Sequence, residues 1–193
     1  MTRFLVNNTF IFVYICLNKD FVIQLKPLSD EHVTPFYAWL NDDEVIRYSL
    51  SVFQTVSSNS EIDHWFKSLL NDKKNYTIGI FLHDTDELIG YTGICNISRI
   101  NKSGEFFIFI GEKKWWGKGI GTMTTQKIID YGFNSMYLNR INLTVSEPNI
   151  SGVQAYLKAG FQLEGRQRQA CFRDGTYHDK LIMSILRDEF ILN

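Results

Sequence analysis

Apolar positions along the chain recur at two spacings, and the switches between them mark out the elements. Residues 21–25 alternate apolar and polar as a strand does. Ser29 then offers an N-cap for a helix running towards Asn41, with Pro35 starting a turn or a kink inside it. Ser60 is placed to cap a second helix through Leu70, because Ile62, Trp65, Phe66 and Leu69 share one helical face. Residues 76–82 and 88–97 read as strands joined by the polar turn around Asp84 and Asp86. An aromatic and β-branched run over 105–110 is the next strand. It leads to Trp116-Gly117-Lys118-Gly119-Ile120-Gly121-Thr122, after which Ile129, Phe133 and Met136 predict an amphipathic helix to about Tyr137. A strand over 141–145, a short helix over 150–159 ending at Gly160, and a hairpin of 167–173 and 180–186 around Asp174-Gly175 follow. This order predicts an α/β fold of α+β character: one central, mixed, mostly antiparallel sheet flanked by helices on both faces.

The 193 residues suit one domain, and 45% hydrophobic with 15% aromatic content argues for a compact core. A formal net charge of −1 leaves no electrostatic footprint for nucleic acid or an anionic membrane, so neither is an expected partner. Cys16, Cys95 and Cys171 are scattered and odd in number, which argues against a disulfide framework and for a reducing, cytoplasmic setting. His32, His64, His83 and His178 lie far apart, and no Cys/His cluster has zinc-site spacing, so no metal is expected. The apolar stretch over 10–17 is far shorter than the roughly 20 residues that span a bilayer, and it lacks signal-peptide flanks. Residues 1–20 are therefore expected to be an extra strand or a poorly ordered extension, preceding a single domain over 21–193.

Glycines that close a strand and open a helix let a ligand approach the backbone, with free N–H groups and the positive end of the helix dipole facing it. The loop at 116–122 is thus a candidate phosphate cradle. A Walker A loop would need a glycine where Glu112 stands and Ser or Thr where Gly119 stands. A dinucleotide fingerprint would need its third glycine one residue after Gly121. Both fail, and a tight strand-to-helix turn is the plain alternative.

The segment from Gly104 to Phe161 resembles the core of the GNAT superfamily of N-acetyltransferases. That family carries R/Q-x-x-G-x-G/A before a helix, and Gly119-Ile120-Gly121 is similar to it, with Trp116 standing where Arg or Gln is usual. Asn149, Tyr156, Lys158 and Gly160-Phe161 are similar to the family's N-x-x-A-x-x-x-Y-x-K-x-G-F, with Gly152 in place of the alanine. Residues 173–183 and 43–48 resemble the closing hairpin and first-helix signature of the branch holding ribosomal-protein and spermidine N-acetyltransferases, so the likeness spans about 21–186.

The resemblance implies an acetyl-CoA-dependent N-acetyltransferase working by direct transfer to a primary amine, with a non-catalytic acyl-CoA-binding module as the alternative. It implies that Gly117, Lys118, Gly119, Ile120, Gly121 and Thr122, with Trp116 beside them, cradle the coenzyme A pyrophosphate, chiefly by backbone N–H groups. Backbone groups of Ile108, Phe109 and Ile110 would pair with the pantetheine arm, and Asn149 and Lys158 would contact the coenzyme. Lys113, Lys114 and Lys118 are candidates for its 3′-phosphate, or simply a solvated charge run. Glu105 is the candidate general base, or a solvated strand end, and Tyr156 the candidate general acid, or a buried aromatic. The acceptor side is implied between Glu44, Arg47, Tyr48 and Trp65 on one hand and Arg173, Tyr177 and His178 on the other. Its mixed charge leaves a small-molecule or peptide amine open: a polyamine, a protein N-terminus, an amino sugar or an aminoglycoside. The closing hairpin also offers a face for a homodimer.

Overall fold

The computed structural model describes residues 13–17, 21–56 and 58–191. They form one eight-stranded sheet: β1 (Val13–Leu17), β2 (Phe21–Lys26), β3 (Tyr76–Leu82), β4 (Leu88–Ser98), β5 (Ser103–Ile110), β6 (Arg140–Ser146), β7 (Gln162–Arg173) and β8 (Thr176–Leu186). Their order is β1-β2-β3-β4-β5-β6-β8-β7. Every neighbouring pair is antiparallel except β5 and β6. That parallel pair needs a crossover, and α4 (Ile120–Asn134) supplies it. The other helices are α1 (Thr34–Trp39), α2 (Asp43–Ile46), α3 (Asn59–Asn71), α5 (Ile150–Lys158) and α6 (Arg187–Ile191). Among the described residues no helix is long and apolar enough to cross a membrane. Residues 1–12 lie outside the described residues, while β1 takes up the end of the apolar stretch and pairs with β2.

Each face of the sheet has its own core. On one face Ile94, Phe106, Ile141, Leu143, Met183 and Ile185 pack against Ile128, Ile129 and Phe133 of α4 and against Phe161. On the other, α1–α3 bring Phe36, Trp39, Ile62 and Phe66 onto Phe81, Tyr91 and Phe109 of β3–β5. No residue of β6, β7 or β8 joins this second core. The half of the sheet that follows β5 therefore carries no apolar helical layer on that face, where the polar Asn142, Thr144 and Ser146 alternate with the core residues Ile141, Leu143 and Val145.

Several boundaries differ from the sequence expectation, each for a local reason. The helix expected from Ser29 divides into a 3-10 turn, Asp30–Val33, and α1, with Pro35 in the first turn of α1. A proline inside one continuous helix would remove a hydrogen bond and clash with the preceding turn. The cap of α3 is Ser58, not Ser60: Ser58 Oγ accepts the Glu61 N–H at 3.3 Å and donates to Glu61 Oε2 at 3.0 Å. Helix α4 stops at Asn134, and Tyr137 takes a positive φ of 57°. Strand β7 starts at Gln162 and breaks register with β8 at two places, which hides its alternation in the sequence.

Phe36 is fully buried, and the rings of Trp39, Trp65, Phe66, Tyr91 and Phe109 lie within 6.4 Å of its own. Phe36→Ala is expected to cost ~3–5 kcal/mol of folding stability, read from the urea unfolding midpoint.

Candidate active site

β5 and β6 pair over only Ser103–Arg140, Gly104–Ile141 and Glu105–Asn142, then part. β5 remains paired with β4 as far as Ile110, and β6 with β8 along its whole length. The Gly111 N–H donates to Ile89 O at 3.0 Å. Because backbone groups alternate along a strand, odd-numbered residues of β5 address β4, and Phe106, Ile108 and Ile110 address the opening. Phe109 therefore does not join Ile108 and Ile110 there, as had been expected from the resemblance. Its backbone faces β4 and its ring lies in the aromatic core. Backbone groups without a strand partner need another one, and Trp116 provides it for Ile110 O by donating from Nε1 at 2.9 Å.

The glycine loop stands at the Ile110 end of this opening. A 3-10 turn, Lys113–Trp115, leads to Trp116, which is 38% exposed. Gly117 and Gly119 then turn the chain with φ of 72° and 82°, which glycine reaches at little cost. Gly119 is the N-cap of α4 and brings no side chain to it. Met123 N–H reaches Gly119 O at 3.1 Å, so the amides of Ile120, Gly121 and Thr122 precede the helix ladder and point outward, a ready anion seat. A Cβ built on Gly121 would meet nothing closer than Ile110 Cδ1 at 3.8 Å. The protein itself therefore does not require glycine at 121, and the space above it is open to a ligand seated against the backbone. Lys118 places its ammonium 4.4 Å from the Trp115 ring centroid. Lys113 is tied to Asp42 (2.7 Å) and Glu44 (2.9 Å), and Lys114 to Glu87 (2.7 Å). Those two lysines, expected as candidates for a 3′-phosphate, thus already have carboxylate partners that raise their pKa values.

Glu105 and Tyr156 flank the point where the strands part. Glu105 shares its sheet face with Phe107 and Phe109, the face of α1–α3, and accepts a hydrogen bond from Asn96 Nδ2 at 2.8 Å. Tyr156 comes from α5 on the opposite face, its ring 6.0 Å from that of Phe106, the first residue beyond the last paired rung. Burial pushes its hydroxyl up to about 12. The Cys95 thiol, across the ladder from Glu105, is pushed up to about 11 by burial and then by the Glu105 charge, so it is no ready nucleophile. Asn149 caps α5, its Oδ1 accepting the Gly152 N–H at 3.1 Å. A Cβ on Gly152 would lie 2.7 Å from Asn149 Nδ2, so glycine there lets the cap close down. Lys158 is exposed in the last turn of α5.

The expected acceptor residues divide. Arg173 at the end of β7 donates from Nε to Arg47 O (2.7 Å) and from a terminal nitrogen to Ser49 O (3.2 Å), clipping the hairpin tip onto the end of α2. Arg47 in turn pairs with Asp174 at 3.5 Å. Glu44 is exposed and held by Lys113, Tyr48 is half-buried, and Trp65 packs among Phe36, Phe53, Phe66 and Tyr91. His178 shares a face with Cys171 and the polar side of β6, where the Ser146 hydroxyl contacts Cys171 Sγ at 2.8 Å. Tyr177 does not join it. Side chains alternate along β8, and Tyr177 lies on the other face, 63% exposed, its ring tilted against that of Phe172 with centroids 4.9 Å apart.

A family model described as an acetyltransferase (GNAT) domain matches residues 23–162. The chain belongs to the GNAT acetyltransferase family. The uncharacterized N-acetyltransferase YoaA of Bacillus subtilis (strain 168) is 30% identical over 165 residues, covering 84% of this chain and 92% of the relative. A spermidine N(1)-acetyltransferase of Escherichia coli (strain K12) is 25% identical over 170 residues, 88% of each chain. The fold matches a crystal structure of the Vibrio cholerae spermidine N-acetyltransferase in complex with CoA and spermine, with a TM-score of 0.78, 24% identity, and 88% and 98% of the two chains covered.

As a GNAT enzyme the chain transfers acetyl groups from acetyl-CoA to amine nitrogen. The opening, the uncapped α4 N-terminus and the unfilled space above Gly117 and Gly121 all fit a coenzyme running from loop to rung. The sequence marked Trp116 as a neighbour of the glycine loop but not as the donor to the Ile110 carbonyl, and it did not mark Asn96, which holds Glu105. Asn96 left one trace, a poor strand former inside a strand run. Gly121→Asp is expected to leave unfolding within ~0.5 kcal/mol of the parent, while its carboxylate repels the pyrophosphate and weakens coenzyme A binding roughly tenfold or more, read by calorimetric titration.

Proposed function

We propose that the chain acetylates an aliphatic primary amine by direct transfer in a ternary complex, with Glu105 as general base and Tyr156 as general acid. One observation carries this reading: β5 and β6 part immediately after the Glu105–Asn142 rung, with a carboxylate on one face of the sheet and a phenol on the other. An alkylamine of pKa about 10 is mostly charged near neutrality, so a proton must leave before nitrogen can attack. Glu105 takes that proton, directly or through one water, as the new C–N bond forms. The C–S bond breaks, Tyr156 gives its hydroxyl proton to the departing sulfur, and the second proton released from the acylated nitrogen returns through solvent to restore the Tyr156 hydroxyl. A phenol raised to about 12 stays protonated through the working range, which suits a donor. The amides of Ile108 and Ile110 address the opening and are suited to stabilise charge developing on the carbonyl oxygen. Bound acetyl-CoA supplies the activated acyl group. The raised Cys95 thiol favours this route over one through an acyl-cysteine.

For the acceptor, Asp42, Asp43 and Glu44 gather at the start of α2, with Lys113 offsetting two of the three. That residual acidity supports a polyamine over an amino sugar bearing phosphate, and the relatedness to a spermidine N(1)-acetyltransferase points the same way. The two described thiols, Cys95 and Cys171, are free, which suits a reducing cytoplasmic setting. The outer edge of β7 and the exposed pair Phe172 and Tyr177 (53% and 63% exposed) form the face we assign to a homodimer. Phe172→Asp should shift sedimentation to the monomer, and an unchanged profile removes that face.

Tyr156→Phe is expected to lower kcat roughly 10²-fold with coenzyme affinity unchanged, and Glu105→Gln to abolish the acidic limb of the pH–rate profile. No alkaline loss assignable to Tyr156 is expected below about pH 10. An amine panel of polyamines, peptides and amino sugars tests the acceptor, and turnover of amino sugars alone overturns the polyamine reading.

A further inference from the structure

β4 breaks register with β5 between Cys95 and Ser98, and Asn96 sits in the break with a positive φ of 50°. Asparagine is among the few residues other than glycine that visit this region readily. Asn96 donates from Nδ2 to Glu105 Oε2 at 2.8 Å. Its own N–H donates to Asn75 Oδ1 at 3.1 Å. Asn75 donates from Nδ2 to Asp72 Oδ2 at 2.6 Å. Asp72 Oδ1 accepts the amides of Lys74 (2.8 Å) and Asn75 (3.3 Å), at the C-cap of α3. A continuous path of hydrogen bonds thus runs from the end of α3 through two asparagine side chains to the carboxylate at the mouth of the opening.

We propose that Asn96 is a positioning residue for Glu105, anchored from α3 through Asn75 and Asp72. This rests on the reading of Glu105 as the general base. Asn96 fixes Oε2, which leaves Oε1 as the oxygen that takes the proton. An N–H donor favours the charged carboxylate without neutralising it, as a lysine or arginine partner would, and without itself titrating. The Asp72 carboxylate, at the far end of the path, is the other charge that reaches this corner, since it also raises the Cys95 thiol. Cys95 across the ladder is a thiol raised by burial, and Asn142, in register on β6, is neutral. Side-chain entropy makes such anchoring worthwhile, because an unanchored glutamate samples many rotamers.

The test is the pH dependence of kcat and kcat/KM in Asn96→Gly, which keeps the left-handed backbone and removes the donor, and in Asn96→Asp, which replaces the donor with a like charge. The acidic limb is expected to move up in Asn96→Gly, where the donor to the carboxylate is lost, and further in Asn96→Asp. The KM for acetyl-CoA should stay unchanged, and the lost rate should return partly as pH rises. Asn75→Ala should shift the limb in the same direction by less. Thermal unfolding of each variant separates folding loss from the kinetic effect. An unmoved limb in folded Asn96→Gly, or a rate loss that pH does not relieve, overturns the proposal. Glu105→Gln keeps the two readings apart. If its acidic limb persists, Glu105 is not the base. If the limb vanishes there but stays put in Asn96→Gly, only the positioning role fails.

Discussion

The site depends on a short stretch of pairing: three rungs hold β5 to β6, and everything beyond them is open. Two stronger attachments pull the strands apart. β5 is held to β4 as far as Ile110, with Phe109 buried among Phe36, Trp39, Phe53 and Tyr91 on one face. β6 is held to β8 over seven residue pairs, its apolar positions packed towards α4 and α5. Strand edges left open inside a fold carry unmet hydrogen-bonding capacity. Here that capacity faces a gap whose far end is the uncapped start of a 15-residue helix. An extended ligand with amide groups along its length and phosphates at one end meets both demands, which is the chemistry of coenzyme A.

The two faces of the sheet divide the labour at that gap. The α4–α5 face is apolar and continuous, and it carries the Tyr156 ring against Phe106 and Phe161. The opposite face is covered only as far as β5, so Glu105 stands at the border between a packed aromatic core and a polar floor. Charges around that floor are already answered: Arg47 by Asp174 and Arg140 by Glu164. The Arg140–Glu164 pair, joined by the Ser184 hydroxyl, holds the Glu164 carboxyl down at about 2. Exposed pairs of this kind add little stability. Their effect is to leave this surface with little uncompensated charge.

Where the chemistry lies within one contiguous segment, it was readable in the residues themselves. The strand, glycine loop and helix from Glu105 to Asn134 follow one another, and the turn at Gly119 needs only a residue that accepts a positive φ. Asn149, Tyr156 and Gly160 likewise belong to one short helix and its caps. The misreadings concern residues whose partners are distant in sequence. Lys113 meets Asp42 and Glu44 across 71 and 69 positions, and nothing near it announces that pairing. The resemblance implied that Phe109 joins Ile108 and Ile110 at the opening, yet strand alternation turns its backbone to β4. Tyr177 and His178 are neighbours in sequence and lie on opposite faces for the same reason.

The sequence by itself determined the order of elements, the glycine turn that exposes helix amides, and the residue types suited to proton transfer, because these rest on local backbone preference and side-chain chemistry. Only the tertiary structure decided that β5 and β6 separate after Glu105, that Trp116 caps Ile110, and that Asn96 reaches the carboxylate. Strand parting is a contest between two sheet neighbours and two cores. A register break in β4 depends on what β5 offers across the ladder. Neither can be read from one segment, since the energies that settle them come from residues brought together by folding.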